Sequence, residues 1–153
     1  MTAQDQDQDR DQDAGQQPGR PVLELTSVTI GAPAPRELAA FYARLLEWPV
    51  TASDPALPGE PEEAGWAQVR PPEGVAGPTL NFEWEAHYVA PAWPSKAGRQ
   101  HITQHLDIAV TDLDEAVAWA VSVGGVLADF QPQEDVRVLF DPAGQPFCLF
   151  LRN

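Results

Sequence analysis

His105, Asp107, Glu83 and Cys148 are the side chains of this chain whose types and spacing could do more than pack. His105 and Asp107 stand two apart in HLDIAV, an alternating run that predicts a strand, so the two side chains share a face. An imidazole that titrates near neutrality, with a carboxylate beside it to orient it, is a general base in waiting. A hydrogen-bonded structural histidine has equal standing. Cys148 lies in PFCLFL, and a cysteine flanked by Phe147, Leu149 and Phe150 reads first as a small inert hydrophobe and only second as a nucleophile. His101 and His105 are four apart, but an extended chain separates them by roughly 13 Å, unlike the single-face zinc spacing of a helix. His101 therefore belongs to a loop.

The elements that must position these groups recur. Setting Ser27 against His105 superposes SVTIGAPAPRELAAFYARLLEW on HLDIAVTDLDEAVAWAVSVGGV without a gap, matching Ile30 to Ile108, Glu37 to Glu115 and Ala40 to Ala118. Both copies read as strand, polar break and amphipathic helix. In the first, VLELTSVTIG predicts a strand with Ser27 and Thr29 on one face, and Leu38, Phe41, Tyr42 and Leu45 form the helical stripe. A loop rich in Pro, Gly and Glu follows beside a short strand, then WAQVR and TLNFEWE alternate. They place Trp66 and Gln68 on one face of their strand, and Asn81 and Glu83 on one face of theirs. Residues 88–100, with Trp93, connect the copies and could border a pocket. In the second copy Asp112 and Glu115 stand at capping-box spacing and Gly124-Gly125 signals the helix end. Strands are expected in VLADFQ, VRVLF and PFCLFL, the last two joined by a type I turn at Asp141-Pro142-Ala143-Gly144.

The bulk properties bound the function. At 153 residues and 43% hydrophobic, the chain can bury one core, so the duplication lies inside one domain, over 21–153, with repeats at about 22–87 and 101–152. Residues 1–20 carry QDQDQDRDQD with almost no apolar side chain, which predicts a disordered acidic tail and not a calcium loop. A net charge of −14 repels polyphosphate backbones and argues against nucleic-acid binding. With a single cysteine there is no intrachain disulfide, no apolar run approaches the roughly 18 residues that span a bilayer, and no signal peptide is evident. A cytoplasmic protein with no membrane partner is expected.

Strand, helix and three further strands, twice over, resembles the vicinal oxygen chelate superfamily of glyoxalases, bleomycin-resistance proteins and extradiol dioxygenases. The sharper likeness, carried by APAPRELAAFYARLLEW, LNFEWEAHYVAPAWP, HLDIAVTDLDEAVAWA and FDPAGQPFCLF, is to glyoxalase-like domains common in actinobacteria. The resemblance implies an α+β fold in which duplicated βαβββ units form a cupped mixed sheet with the helices outside. It also implies metal ligands, where a metal is present, on the first and last strands of each unit. Those positions correspond to Ser27 and His105, to Asn81 or Glu83, and to Cys148. Ser27 is a poor ligand, and Cys148 stands where the family usually has a carboxylate.

The faces expected to line the cavity carry Ser27, Thr29, Trp66, Gln68, Asn81, Glu83, His105, Asp107, Arg137, Cys148 and Phe150, with Trp93 nearby. Burying that many ionisable groups is costly unless they pair or meet a ligand. An internal ion pair from Arg137 to Glu83 or Asp107 is one outcome. A polar and aromatic small-molecule pocket is the other. The expectation is a small-molecule-binding protein with no obligatory metal. The first alternative is a metal-dependent lyase, isomerase or dioxygenase using His105 and Glu83, with Cys148 as a third donor. The second is a non-catalytic interaction module, and by analogy with related proteins the chain could form a homodimer.

Overall fold

The computed structural model describes residues 19–152. The acidic tail expected over 1–20 lies, as far as residue 18, outside the described residues. Two units follow one another. The first comprises β1 (Ser27–Ala32), α1 (Pro35–Leu46), β2 (Val50–Asp54), β3 (Trp66–Val69) and β4 (Thr79–Trp84). The second comprises β5 (Asp107–Val110), α2 (Leu113–Ser122), β6 (Val126–Leu127), β7 (Val136–Phe140) and β8 (Pro146–Leu151). The gapless superposition of the two copies pairs Pro35 with Leu113, and these are the first residues of the two helices.

Each unit builds a four-stranded mixed sheet, in the orders β1-β4-β3-β2 and β5-β8-β7-β6. In both, the first strand runs parallel to the last, and the other neighbours are antiparallel. This is the α+β architecture of duplicated βαβββ units. Two strands are shorter than their sequence patterns suggest. Val22, Leu23 and Leu25 of the expected strand VLELTSVTIG are exposed, and β1 begins only at Ser27, where its pairing with Thr79 of β4 begins. VLADFQ forms a strand only over Val126 and Leu127, with Ala128 N adding one bond to Val138 O at 3.0 Å.

The helix starts follow local chemistry. Asp112 caps α2, its Oδ1 accepting from Glu115 N at 2.9 Å, whereas α1 starts on Pro35, whose missing N–H costs nothing in the first turn. The helices differ in burial. α1 buries Pro35, Leu38, Ala39, Phe41, Tyr42 and Leu45, while α2 buries only Leu113 and Ala120. The helices also touch each other, with Trp119 Nε1 donating to Leu45 O at 3.1 Å and Arg44 Nη2 to Val123 O at 3.3 Å.

One core spans both units. Tyr42 stacks on Phe82 of its own unit at 5.7 Å and meets Phe147 of the other edge-on at 6.1 Å, while Phe41 reaches Phe147 at 5.9 Å. Such pairs contribute about 0.5–1.5 kcal/mol each beyond the area they bury. A polar bond reinforces the junction. The buried Tyr42 hydroxyl donates to Asp141 Oδ2 at 2.8 Å, and Asp141 Oδ1 accepts from Ala143 N and Gln145 N at 2.9 and 3.0 Å. Asp141 thereby closes the turn that Pro142 and Gly144 permit, with Gly144 at φ 77° in the left-handed region and its N–H bonded to Asp141 O at 2.8 Å.

Burial raises the Asp141 carboxyl above its ordinary 3.8, and the bonds from Tyr42, Gln145 and Ala143 hold it down against that rise. A raised pKa means that the folded state holds the proton more tightly than the unfolded chain does. Asp141 therefore stabilises most in acid, and that contribution falls as pH rises through the raised value. Tyr42→Phe is expected to cost about 1.5–3 kcal/mol by leaving a buried carboxylate oxygen unpartnered. It should also shift the Asp141-dependent loss of stability to higher pH. Urea unfolding of both proteins from acid to neutral pH reads both effects, and coincident curves would show that this bond does not hold the units together.

Candidate functional site

The parallel pairing of β5 with β8 sets Asp107 directly beside Cys148, and Cys148 N donates to Leu106 O at 2.9 Å. His105 sits just before β5, with Nε2 3.2 Å from Asp107 Oδ1. One donor atom from each of His105, Asp107 and Cys148 lies within 4.8 Å of the others. Their side chains stay accessible, at 43% for His105 and 59% for Asp107. A tetrahedral ion with bonds near 2.0–2.3 Å needs donors roughly 3.5 Å apart, so modest rotamer changes would close this group on a zinc-type ion. Nitrogen, oxygen and sulfur donors together suit Zn²⁺ better than Mg²⁺, which prefers oxygen alone. The three residues therefore fit a metal of that kind.

Without an ion, Cys148 is not an activated nucleophile. Burial, the Asp107 charge and a hydrogen bond to that carboxylate push its thiol up to about 11, so it keeps its proton at neutral pH.

The first unit supplies the comparison. Thr29 corresponds to Asp107 by the superposition, and β1 pairs Thr29 with Asn81 just as β5 pairs Asp107 with Cys148. Register thus selects Asn81, not Glu83, as the counterpart of Cys148. Ser27, Thr29 and Asn81 are neutral where His105, Asp107 and Cys148 are ionisable. Asn81 is already engaged, its Oδ1 accepting from Gln68 Nε2 at 3.0 Å while Gln68 Oε1 accepts from Thr51 Oγ1 at 2.9 Å. Glu83 is exposed, stands opposite Gly31 and Trp66, and lies outside the donor group. Of the donor set drawn from the sequence, His105 with Glu83 and Cys148, the structure brings His105 and Cys148 together with Asp107 and leaves Glu83 apart.

Arg137 also stands apart from the donor group. It stands opposite Leu149, on the face that buries Leu139 and Phe147, whereas Val136 and Val138 share the face of Cys148. Its guanidinium donates to Glu134 O and Val136 O, each at 2.9 Å, and pairs with neither Glu83 nor Asp107. Alternation in VRVLF groups Arg137 with Leu139 but does not say which face of β7 turns to the core, and pairing with β8 decides that. Phe150 keeps the face of Cys148, opposite Val136 and Ala109. Trp66 is half-buried opposite Asp54 and Glu83. Trp93 packs against Phe130 at 6.3 Å, its buried Nε1 without a hydrogen-bond partner.

The main concavity lies between the units. A cleft of about 640 Å³ is lined by Val28, Thr29, Ile30 and Gly31 of β1, Tyr42 of α1, Thr103–Leu106 before β5, and Gln145 and Pro146. Of the residues singled out in the sequence as candidates for the site, only Thr29 and His105 line it. Gln145, which the sequence did not mark, is central, because its Nε2 donates to Gly31 O at 3.0 Å across the two units. Its place one residue after the Asp-Pro-Ala-Gly turn is the signal that could have found it. A second cleft of about 290 Å³ shares Thr103, Gln104, Gln145 and Pro146, and adds Glu85, His87, Tyr88 and His101.

Comparison with known proteins follows the geometry. A glyoxalase family protein from Enterococcus faecalis matches with TM-score 0.57 at 20% identity, over 83% of this chain and 96% of that one. A mutant of the fosfomycin resistance protein FosX from Listeria monocytogenes, complexed with Mn(II) and a dihydroxypropylphosphonic acid, matches with TM-score 0.61 at 11% identity, over 84% and 92%. TnmS3, an antibiotic binding protein from Streptomyces sp. CB03234, matches with TM-score 0.52 at 15% identity, over 86% and 98%. At these identities the likeness is one of fold. No curated protein matches the chain. The glyoxalase-like domain model matches residues 27–150, from the first residue of β1 almost to the end of β8, and the chain belongs to that family.

Proposed function

We propose that this chain is a glyoxalase-like small-molecule-binding protein that holds its ligand in the cleft between its two units and has no obligatory metal. The observation that carries this reading is the cleft itself, about 640 Å³ in volume and walled by both units. That size suits a drug-sized molecule. Val28, Ile30, Leu106 and Pro146 offer an apolar wall, and Thr29, Thr103, Gln104, His105 and Gln145 offer hydrogen bonds. An antibiotic binding protein and a phosphonic acid complex among the structural neighbours support small-molecule binding as a use of this fold.

A second reading rests on the donor group of His105, Asp107 and Cys148. These three residues would hold a zinc-type ion beside the cleft that His105 lines. Such an ion would polarise an oxygen of the bound ligand as a Lewis acid. Asp107 would orient the His105 imidazole, and the lyase, isomerase or dioxygenase alternative would then use this set without Glu83. A homodimer is retained as a further proposal, its surface being the outer side of α2 and β6, where Trp119, Val121, Val126 and Leu127 are exposed.

Three measurements test these readings. A thermal-shift screen of aromatic, glycopeptide and oxo-acid compounds should find a stabiliser whose effect disappears in Thr29→Trp and in Gln104→Trp. A stabiliser indifferent to both substitutions would place the ligand elsewhere. Titration with Zn²⁺, and with Co²⁺ as a coloured substitute, tests the donor group. One equivalent should bind with a thiolate-to-cobalt absorption band that is absent in Cys148→Ser, and His105→Ala should weaken binding by about 100-fold or more. No band and no saturable binding would remove the metal reading. Sedimentation velocity should find twice the 16.6 kDa chain mass if copies pair, and Trp119→Glu should return that mass to one chain.

A further inference from the structure

Among the described residues, the clefts are lined by hydrogen-bonding groups, and neither lining includes a lysine or an arginine. His105 lines the larger cleft with its imidazole 3.2 Å from the Asp107 carboxylate, so the nearest formal charge there is negative. The smaller cleft adds His87 and His101 but also Glu85, whose Oε1 accepts from His87 N at 3.0 Å. The surrounding field has the same sign. Five aspartates and Arg10 within residues 1–18 account for −4 of the net −14, leaving −10 on the rest of the chain.

These features discriminate between ligand classes. A carboxylate or phosphonate entering the clefts would lose hydration without a guanidinium or ammonium to replace it, and would approach against the field of the whole protein. An ammonium would be drawn in by that field and would meet the Glu85 carboxylate, the side-chain oxygens of Gln104 and Thr103, and the ring of Tyr88. An apolar body attached to it has Val28, Ile30, Leu106 and Pro146 to lie against. A divalent ion on the neighbouring donor group would not reverse this preference, because Asp107 and a Cys148 thiolate would balance its two charges.

We propose that the two clefts, which share Thr103, Gln104, Gln145 and Pro146, act as one site whose ligand is an organic cation, an amine with an apolar or aromatic body, and not an anionic acid of the phosphonate or carboxylate class. This inference rests on the placement of the ligand in the cleft between the units. It separates the chain from the phosphonic acid complex found among its structural neighbours.

Three probes of nearly equal shape isolate the charge: 3-phenylpropylamine, 3-phenylpropanol and 3-phenylpropionate. Each is titrated calorimetrically against the full-length protein at neutral pH and at two salt concentrations. The amine should bind at least about tenfold more tightly than the acid, with the alcohol between them, and added salt should narrow the gap by screening. Glu85→Gln should reduce amine affinity and leave that of the alcohol unchanged, whereas Thr29→Trp and Gln104→Trp should weaken both. Acid binding equal to or tighter than amine binding overturns the proposed ligand class, and if that binding is lost in Thr29→Trp the cleft still stands as the site. Amine binding untouched by both tryptophan substitutions overturns the proposal by placing the amine outside the cleft. Failure of all three probes to bind at millimolar concentration overturns the cleft and the ligand class together.

Discussion

The hydrogen bond from Tyr42 to Asp141 is the contact on which the arrangement of the two units depends. It is made at 2.8 Å in a buried place, between a helix of the first unit and the final hairpin of the second. An unpartnered carboxylate there would be costly, so the hydroxyl, the Ala143 N–H and the Gln145 N–H must all be in position together. That requirement orients Gln145, whose side chain then reaches Gly31 O in β1. The floor of the cleft is thus set by the same group that joins the units. The aromatic cluster of Phe41, Tyr42, Phe82 and Phe147 surrounds the bond and keeps water from it.

Duplication supplies an internal comparison that a single unit would lack. Both units place equivalent residues, Thr29 of β1 and Asp107 of β5, beside a residue of the last strand in the same parallel register. In the first unit those positions hold Ser27, Thr29 and Asn81, and Asn81 joins a ladder of neutral hydrogen bonds with Gln68 and Thr51. In the second they hold His105, Asp107 and Cys148, which form an ionisable group. The same backbone therefore carries a structural polar network on one side and a candidate reactive one on the other. The two helices diverge in the same way: Phe41 is fully buried in α1, while its counterpart Trp119 is 46% exposed in α2 and spends its indole N–H on α1.

Charge and shape act together at the junction. The concavity is walled by β1, Tyr42 of α1, the segment before β5 and the residues that follow the closing turn, which offer hydroxyls, side-chain amides and the His105 imidazole. The arginines whose bonds are known serve backbone elsewhere: Arg36 donates to Ala64 O and Glu62 O, Arg44 to Val123 O, and Arg137 to Glu134 O and Val136 O. With few cations in the chain and these bonded to loops and helix ends, no lysine or arginine among the described residues lines either cleft.

Local pattern by itself determined the order of strands and helices, because a period of two or of 3.6 is written into neighbouring residues and the second copy repeats the first. It also determined the helix cap at Asp112, the closing turn at Asp141–Gly144 and the apolar stripe of α1. The nearness of His105 to Asp107 was legible for the same reason, since they stand two apart in one short alternating run that leads into β5. Only the tertiary structure decided what stands beside them. Which of Asn81 and Glu83 answers to Cys148 depends on register between strands far apart in sequence, and the side on which Arg137 falls depends on where β7 pairs with β8. The Tyr42–Asp141 bond joins residues 99 positions apart, and Gln145 reaches Gly31 over 114. Contacts at such separations leave no trace in local periodicity, because packing and pairing between distant segments create them.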